Sequence, residues 1–144
     1  MIWKIVAVGQ PALDYAREGI RDYLARIQGF TKIETRFLKP SPDVHAKMLA
    51  ESAGHFRILL DERGRQFTSR GFSGEVAKWE NRSIPRCALL VGGADGWTDD
   101  MRTKADLLWA LGSLTLQHEL ALLVALEQIY RACTIKAGTP YHRD

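Results

Sequence analysis

Cysteine is scarce in this chain of 144 residues, which holds two, Cys87 and Cys133. They lie far apart in apolar surroundings, without the spacing of a disulfide framework or a zinc site, so they read as core thiols. Histidine is sparse as well. His118-Glu119 opens an H-E-x-x-H pattern whose fifth position is Leu122, which excludes zinc hydrolysis. His45 and His55 stand alone near expected loops and read as surface residues. No apolar run approaches the roughly 20 residues that span a bilayer. The segment Met1 to Val8 has neither the basic region nor the small-residue cleavage site of a signal peptide, and it reads as a strand. No membrane and no metal are expected, and the cytoplasm is the expected location.

A strong charge of either sign is also missing. The formal net charge is +3, but residues 1 to 70 carry 12 Lys and Arg against 8 Asp and Glu, whereas residues 71 to 144 carry 8 against 9. The basic half permits contact with a phosphate backbone, and a solvated surface accounts for it equally. The 46% hydrophobic and 26% charged composition is that of a globular protein, and the length fits one domain over 1–144.

What is present is an alternation of apolar strands and amphipathic helices, which argues for a parallel α/β sheet. Ile2 to Val8 reads as a buried strand. A helix from about Ala12 to Gln28 carries Leu13, Ala16, Ile20, Leu24 and Ile27 on one face. Ile33, Phe37 and Leu38, interleaved with charge, suggest a strand nearer the sheet edge. Asp43 reads as the N-cap of a short helix through about Ala53. Phe56 to Leu60 reads as a strand, Asp61-Glu62-Arg63-Gly64 as the turn at its end, and Gly74 to Asn81 as a helix. Cys87 to Val91 is the next strand, followed by a helix from Thr98, with Asp95 a candidate cap. Asp106 to Leu111 reads as the last strand, and a long helix runs from about Glu119 to Lys136. Glu75, Glu80, Glu119 and Glu127 fall on these helices and read as solvated. The four tryptophans read as core or interface. Composition offers no reason for the tail Tyr141-His142-Arg143-Asp144 to be ordered.

Two segments carry chemistry. The run Ala88-Leu89-Leu90-Val91 stops at Gly92-Gly93-Ala94-Asp95-Gly96, and glycines at the carboxyl end of a buried strand let a ligand approach the main chain. Their spacing matches neither G-x-G-x-x-G nor a P-loop. A tight turn without a ligand is the plainer alternative. At the tail, Arg143 offers a fork for phosphate, Tyr141 a ring for stacking on a base, and His142 a group of the kind that titrates near neutrality.

With these segments in view, the chain resembles the bacterial SPOUT-class ribosomal RNA large-subunit methyltransferase H family, which methylates N3 of a pseudouridine. The resemblance spans the whole chain. It rests on Val6-Ala7-Val8-Gly9, Leu60-Asp61, Val91-Gly92-Gly93 with Gly96, Ser113-Leu114-Thr115-Leu116 before His118, Ile129-Tyr130-Arg131-Ala132, and Pro140-Tyr141-His142-Arg143. It implies a parallel-sheet α/β fold with a carboxyl-terminal trefoil knot, an exception to the rarity of threaded chains. It implies S-adenosylmethionine bound by Leu60, by Gly92, Gly93 and Gly96, and by Gly112, Ser113, Leu114, Thr115, Leu116 and Gln117. It implies a homodimer in which Leu120, Leu123, Val124 and Leu126 face a second subunit and the active site is shared. The implied substrate is pseudouridine 1915 of 23S ribosomal RNA in the assembled ribosome. His142 would be the general base, with Tyr141 placing the base and Arg143 on phosphate.

The chain departs from the family at Ala94-Asp95, where Pro-Glu is common, and at Gln117, where proline is usual. It is also shorter between Leu38 and Asp43. The first two departures fall in cofactor loops, where losing a proline loosens the loop by less than about 1 kcal/mol. They support an alternative, a non-catalytic ribosome- or RNA-binding module that retains the fold. A further alternative is an unknotted flavodoxin-like domain that binds another small ligand.

Overall fold

The structure is a computed structural model describing residues 1–142. Each apolar run becomes a strand because parallel neighbours take up its main-chain groups while helices cover both faces. The elements are β1 (Ile2–Val8), α1 (Asp14–Gln28), β2 (Ile33–Leu38), α2 (Val44–Glu51), β3 (Phe56–Gln66), α3 (Ser69–Asn81), β4 (Arg86–Val91), α4 (Asp99–Thr103), β5 (Leu107–Ala110) and α5 (His118–Ala137). The strands form one parallel sheet in the order β2-β1-β4-β3-β5. β2 lies at the edge, which suits its charged alternation, while the continuous apolar run of β4 lies at the centre.

Alternate residues of the strands serve two cores. Trp3, Ile5, Cys87, Leu89 and Val91 meet Ile20 and Ile27 of α1, Phe72 and Trp79 of α3, and Leu122, Leu126 and Ile129 of α5. Val6, Val8, Ala88 and Leu90 meet Met48 of α2, Met101 of α4 and Trp97 on the other face. Burying one such side chain contributes about 1.5 to 3 kcal/mol. All four tryptophans are buried.

Several local expectations are corrected. Asp61 to Gly64 is not a turn. β3 runs on to Gln66, with a register shift against β5 between Leu60 and Arg65. Gly64 makes this possible, because a Cβ there would lie 2.5 Å from the Leu108 carbonyl group. α3 starts at Ser69 rather than near Gly74, since Thr68 Oγ1 accepts from the Gly71 amide at 2.9 Å and caps the helix. Asp43 stands at the N-cap position of α2 as expected, but its carboxylate makes no capping bond and accepts from the Ser41 hydroxyl at 2.7 Å. Thr98, not Asp95, caps α4, accepting from the Met101 amide at 3.2 Å.

Glu119 is not solvated. It is buried, and its Oε1 accepts from the amides of Ala12 (2.7 Å) and Leu13 (3.1 Å), so α5 fixes the two residues that lead into α1. Glu75, Glu80 and Glu127 are mostly covered too. Leu126 is fully buried within its own chain and is not left to face a second subunit, whereas Leu123, which packs on Gly19 of α1, is only partly buried. The tail is anchored through Tyr141. Its hydroxyl lies 3.1 Å from that of Tyr23 and donates to Glu127 at 3.1 Å, and its ring stands edge-on to Tyr130. Arg143 and Asp144 lie outside the described residues.

Candidate active site

At the carboxyl ends of β3, β4 and β5 the chain leaves a cavity of about 640 Å³, within the range usual for small-molecule sites. Three segments wall it. Leu60 to Arg63 contribute from β3, Val91 to Trp97 from the end of β4, and Leu111, Gly112 and Leu114 to His118 from the approach to α5. Of the ten positions inferred to hold a cofactor, Leu60, Gly92, Gly93, Gly96, Gly112, Leu114, Thr115, Leu116 and Gln117 line this one cavity, although they are spread over more than a third of the chain. Ser113 does not line it. Its hydroxyl accepts from Gln66 Nε2 at 3.4 Å, outside the wall.

The β4 turn closes through a bond from the Gly96 amide to the Gly93 carbonyl at 3.1 Å, and Gly96 takes φ +70°, which only glycine adopts cheaply. No atom lies within 4 Å of a Cβ added at Gly96 or Gly112. The main chain there is open to a ligand. The approach to α5 is fixed from two sides. The Thr115 hydroxyl donates to Glu62 Oε2 at 2.5 Å, and Gln117 Oε1 accepts from the amides of Glu119 (2.9 Å) and Leu120 (3.0 Å), capping α5.

Sequence reasoning missed several residues of this site. Trp97, immediately after the turn, donates its indole N–H to the Leu60 carbonyl at 2.6 Å, and a Cβ at Gly92 would touch its ring at 3.3 Å. His45 of α2 lies over the same ring, 5.3 Å between centroids. Trp109 of β5 lines the cavity and stacks on Phe72 at 4.2 Å. Asp61 and Arg102 pair at 2.5 Å, and Arg102 also bonds Asp99 at 2.9 Å. The hydrogen bond to Asp61, above all, raises the Arg102 pKa further. A signal existed only for the bond between Asp99 and Arg102, which stand three apart at the start of an expected helix; Asp61 lies 41 positions away.

Neither Tyr141 nor His142 joins the cavity in one chain. Tyr141 is bound at Glu127, nine residues along α5 from His118, or about 13 Å at the helical rise. His142 is absent from the lining, and its Nδ1 is shielded from solvent without a partner among the described residues. Also among the described residues, no group of three His, Cys, Asp or Glu is placed to hold a metal, and no helix is long and apolar enough to cross a membrane.

Known proteins are similar to this chain in sequence and in fold. A family model described as "Predicted SPOUT methyltransferase" matches residues 1–142. The chain is 44% identical over 140 residues to a ribosomal RNA large subunit methyltransferase H of Thermus thermophilus, covering 97% of each chain. It is 41% identical over 141 residues to the protein of the same name from Deinococcus radiodurans, covering 96% of this chain and 97% of the other. Among solved structures it superposes on a probable methylase family protein of Haemophilus influenzae Rd KW20 with a TM-score of 0.60 at 12% identity, over 99% of this chain and 70% of that one. A probable methyltransferase of Bordetella pertussis Tohama I gives 0.59 at 14% identity, over 91% and 95%. These two likenesses concern the fold.

Proposed function

Because the chain belongs to the SPOUT methyltransferase family, we propose that it methylates N3 of pseudouridine 1915 in 23S ribosomal RNA, in the cytoplasm and on the assembled ribosome. The observation that carries this reading is the single cavity lined by Leu60, Gly92, Gly93, Gly96 and the Gly112–Gln117 approach to α5. S-adenosylmethionine is the proposed cofactor of that cavity, and the residues present fit it. The volume suits a ligand of its size, the main chain is open at Gly96 and Gly112, and the lining carboxylates Glu62 and Asp95 suit its positive charge. When bound, the cofactor supplies an electrophilic methyl group.

The remaining work falls to the chain. The glycine turn and the Gly112–Gln117 segment bind through main-chain groups, with Ser113 bracing the segment from outside through Gln66. His142 takes the N3 proton of the neutral base, Tyr141 places the base and Arg143 holds a phosphate. Correct placement of reacting groups supplies roughly 7 to 11 kcal/mol in such reactions, so positioning dominates. The anchoring of Tyr141 some distance from the cavity supports a homodimer in which the tail of one copy serves the cavity of the other. The proposed domain is the whole of 1–144, with its carboxyl-terminal part threaded as a trefoil knot. The sheet order supports this, since β5 returns to the outside of β3 while α5 crosses back to α1.

The test is methyl transfer to ribosomes from cells lacking this protein, with the modified nucleotide mapped. Methylation elsewhere, or none, overturns the substrate. Naked large-subunit RNA is expected to react poorly, because a small chain of net charge +3 has few means of reading sequence alone. Calorimetric titration with S-adenosylmethionine separates the enzyme from a binding module that has lost its cofactor, since the latter releases no heat.

A further inference from the structure

Most of the described cations that lack a partner stand at the end of the sheet opposite the cavity. Among the described residues, the Lys and Arg side chains without a recorded polar or ring partner are Arg21, Lys32, Lys39, Arg82 and Arg86, and Lys32, Arg82 and Arg86 stand at the amino ends of the strands. The strand register lines two of them up. Arg86 is opposite Ile2 in β4, and Lys32 directly precedes Ile33, the partner of Trp3, in β2. Lys32, Ile2 and Arg86 therefore form one row across three strands, and alternation places all three on the α2 face. At about 4.8 Å per strand spacing, Lys32 and Arg86 lie roughly 10 Å apart at the backbone. Arg82 sits in the turn leading into β4, and His55 continues the row, one residue before the Phe56 that pairs with Cys87.

This row is exposed, Ile2 being 39% accessible and Lys32, Arg82 and Arg86 all exposed. Carboxylates at this end of the sheet are already engaged, Glu80 with the amino terminus at 3.7 Å and with Lys136 at 2.6 Å. Glu34 and Glu51 flank Lys4 at 3.8 and 3.7 Å, and Asp106 accepts from the Arg57 amide at 2.7 Å. A line of unneutralised cations spaced over about 10 Å complements a run of phosphates, each of which releases counterions when neutralised. We infer that this amino-terminal edge, through Lys32, Arg82 and Arg86, grips the phosphate backbone of ribosomal RNA at a segment other than the one that enters the cavity. The inference rests on the proposed ribosomal substrate, and it gives that reading a physical reason: one RNA held at both ends of the sheet is available only on a folded particle.

The test is the salt dependence of ribosome binding, measured by co-sedimentation with assembled ribosomes, for the chain and for Lys32→Gln/Arg82→Gln/Arg86→Gln. The variant is expected to bind ribosomes more weakly, with a slope of log affinity against log salt shallower by about two to three, near one phosphate per lost cation. Its affinity for S-adenosylmethionine should stay within about twofold, since the edge is remote from the cavity. The control Arg21→Gln/Lys39→Gln removes the other two unpartnered cations and should change the slope less. An unchanged slope and affinity in the triple variant would overturn the assignment, as would an equal loss per charge in the control, which would mark a general charge effect. Binding is read apart from methyl transfer. A chain that grips ribosomes through this edge yet transfers no methyl group would overturn the enzymatic reading and leave the edge standing.

Discussion

Trp97 joins two walls of the cavity through one bond. Its N–H satisfies the Leu60 carbonyl at the end of β3, and its ring packs on Gly92 beyond β4. Trp97→Phe keeps most of the ring and strands the carbonyl, so a stability loss of about 1 to 3 kcal/mol is expected in urea unfolding. S-adenosylmethionine affinity should fall at the same time, because the two walls lose their common anchor; unchanged affinity would leave Trp97 a core residue and no more. Cys87 gives a second residue-scale prediction. Burial pushes its thiol up to about 12, whereas an unfolded thiol titrates near 8.5. The folded chain thus holds this proton more tightly than the unfolded one. The resulting stability is whole below about pH 8.5 and is lost as pH rises toward 12. Urea midpoints should fall between about pH 8 and pH 10, and a Cys87→Ala variant should show less of that fall. Native alkylation should be slow at both cysteines, since burial raises the Cys133 thiol as well.

At the level of elements, the start of α5 organises the start of α1. Glu119 serves the amides of Ala12 and Leu13, while Gln117 caps its own helix. Glu119→Ala leaves two amides without partners and is expected to cost about 2 to 4 kcal/mol, whereas Glu119→Gln keeps an acceptor oxygen and should lose less than half of that. Gln117→Ala removes the cap at about 0.5 to 2 kcal/mol, read as a shift in the urea midpoint. Gln117→Pro is informative because the backbone, at φ −57°, already suits proline. It exchanges a cap for a stiffer loop, so its loss should be smaller than that of Gln117→Ala. β1 and the apolar face of α1 were legible in the sequence because burial repeats with the period of the element. The glycine turn was legible from the residues as a ligand site, but its ligand and the walls at Leu60 and Gly112–Gln117 were legible only through family resemblance. Glu119 was not legible: an acid on a helix reads as solvated, and the amides that bury it lie 107 and 106 positions away. Nor was the continuation of β3, because Asp-Glu-Arg-Gly has turn composition, and only the passage of β5 against Gly64 makes it strand.

For the whole molecule, the decisive question is where the tail works. In one copy Tyr141 is fastened to Tyr23 and Glu127, about 9 Å along α5 from Ala121 at the cavity mouth. Large apolar side chains are meanwhile exposed near that mouth: Tyr15 at 54% and Leu13 at 38% on the first turn of α1, and Leu114 at 77% in the approach to α5. If a second copy covers them, Tyr15→Glu should shift the sedimentation coefficient from dimer toward monomer. The sharper test is complementation between two dead variants. Gly112→Trp adds bulk to a wall of the cavity where a Cβ has no atom within 4 Å, and it leaves the tail intact; thermal unfolding checks that the variant folds. His142→Ala leaves the cavity intact. If each site joins one copy's cavity to the other's tail, a mixed dimer contains one dead pair and one complete pair. Refolding the two variants together in equal amounts makes half of the dimers mixed, so about a quarter of full methyl-transfer activity should return. If cavity and tail act within one copy, each chain carries a fatal change and the mixture stays inactive at every ratio.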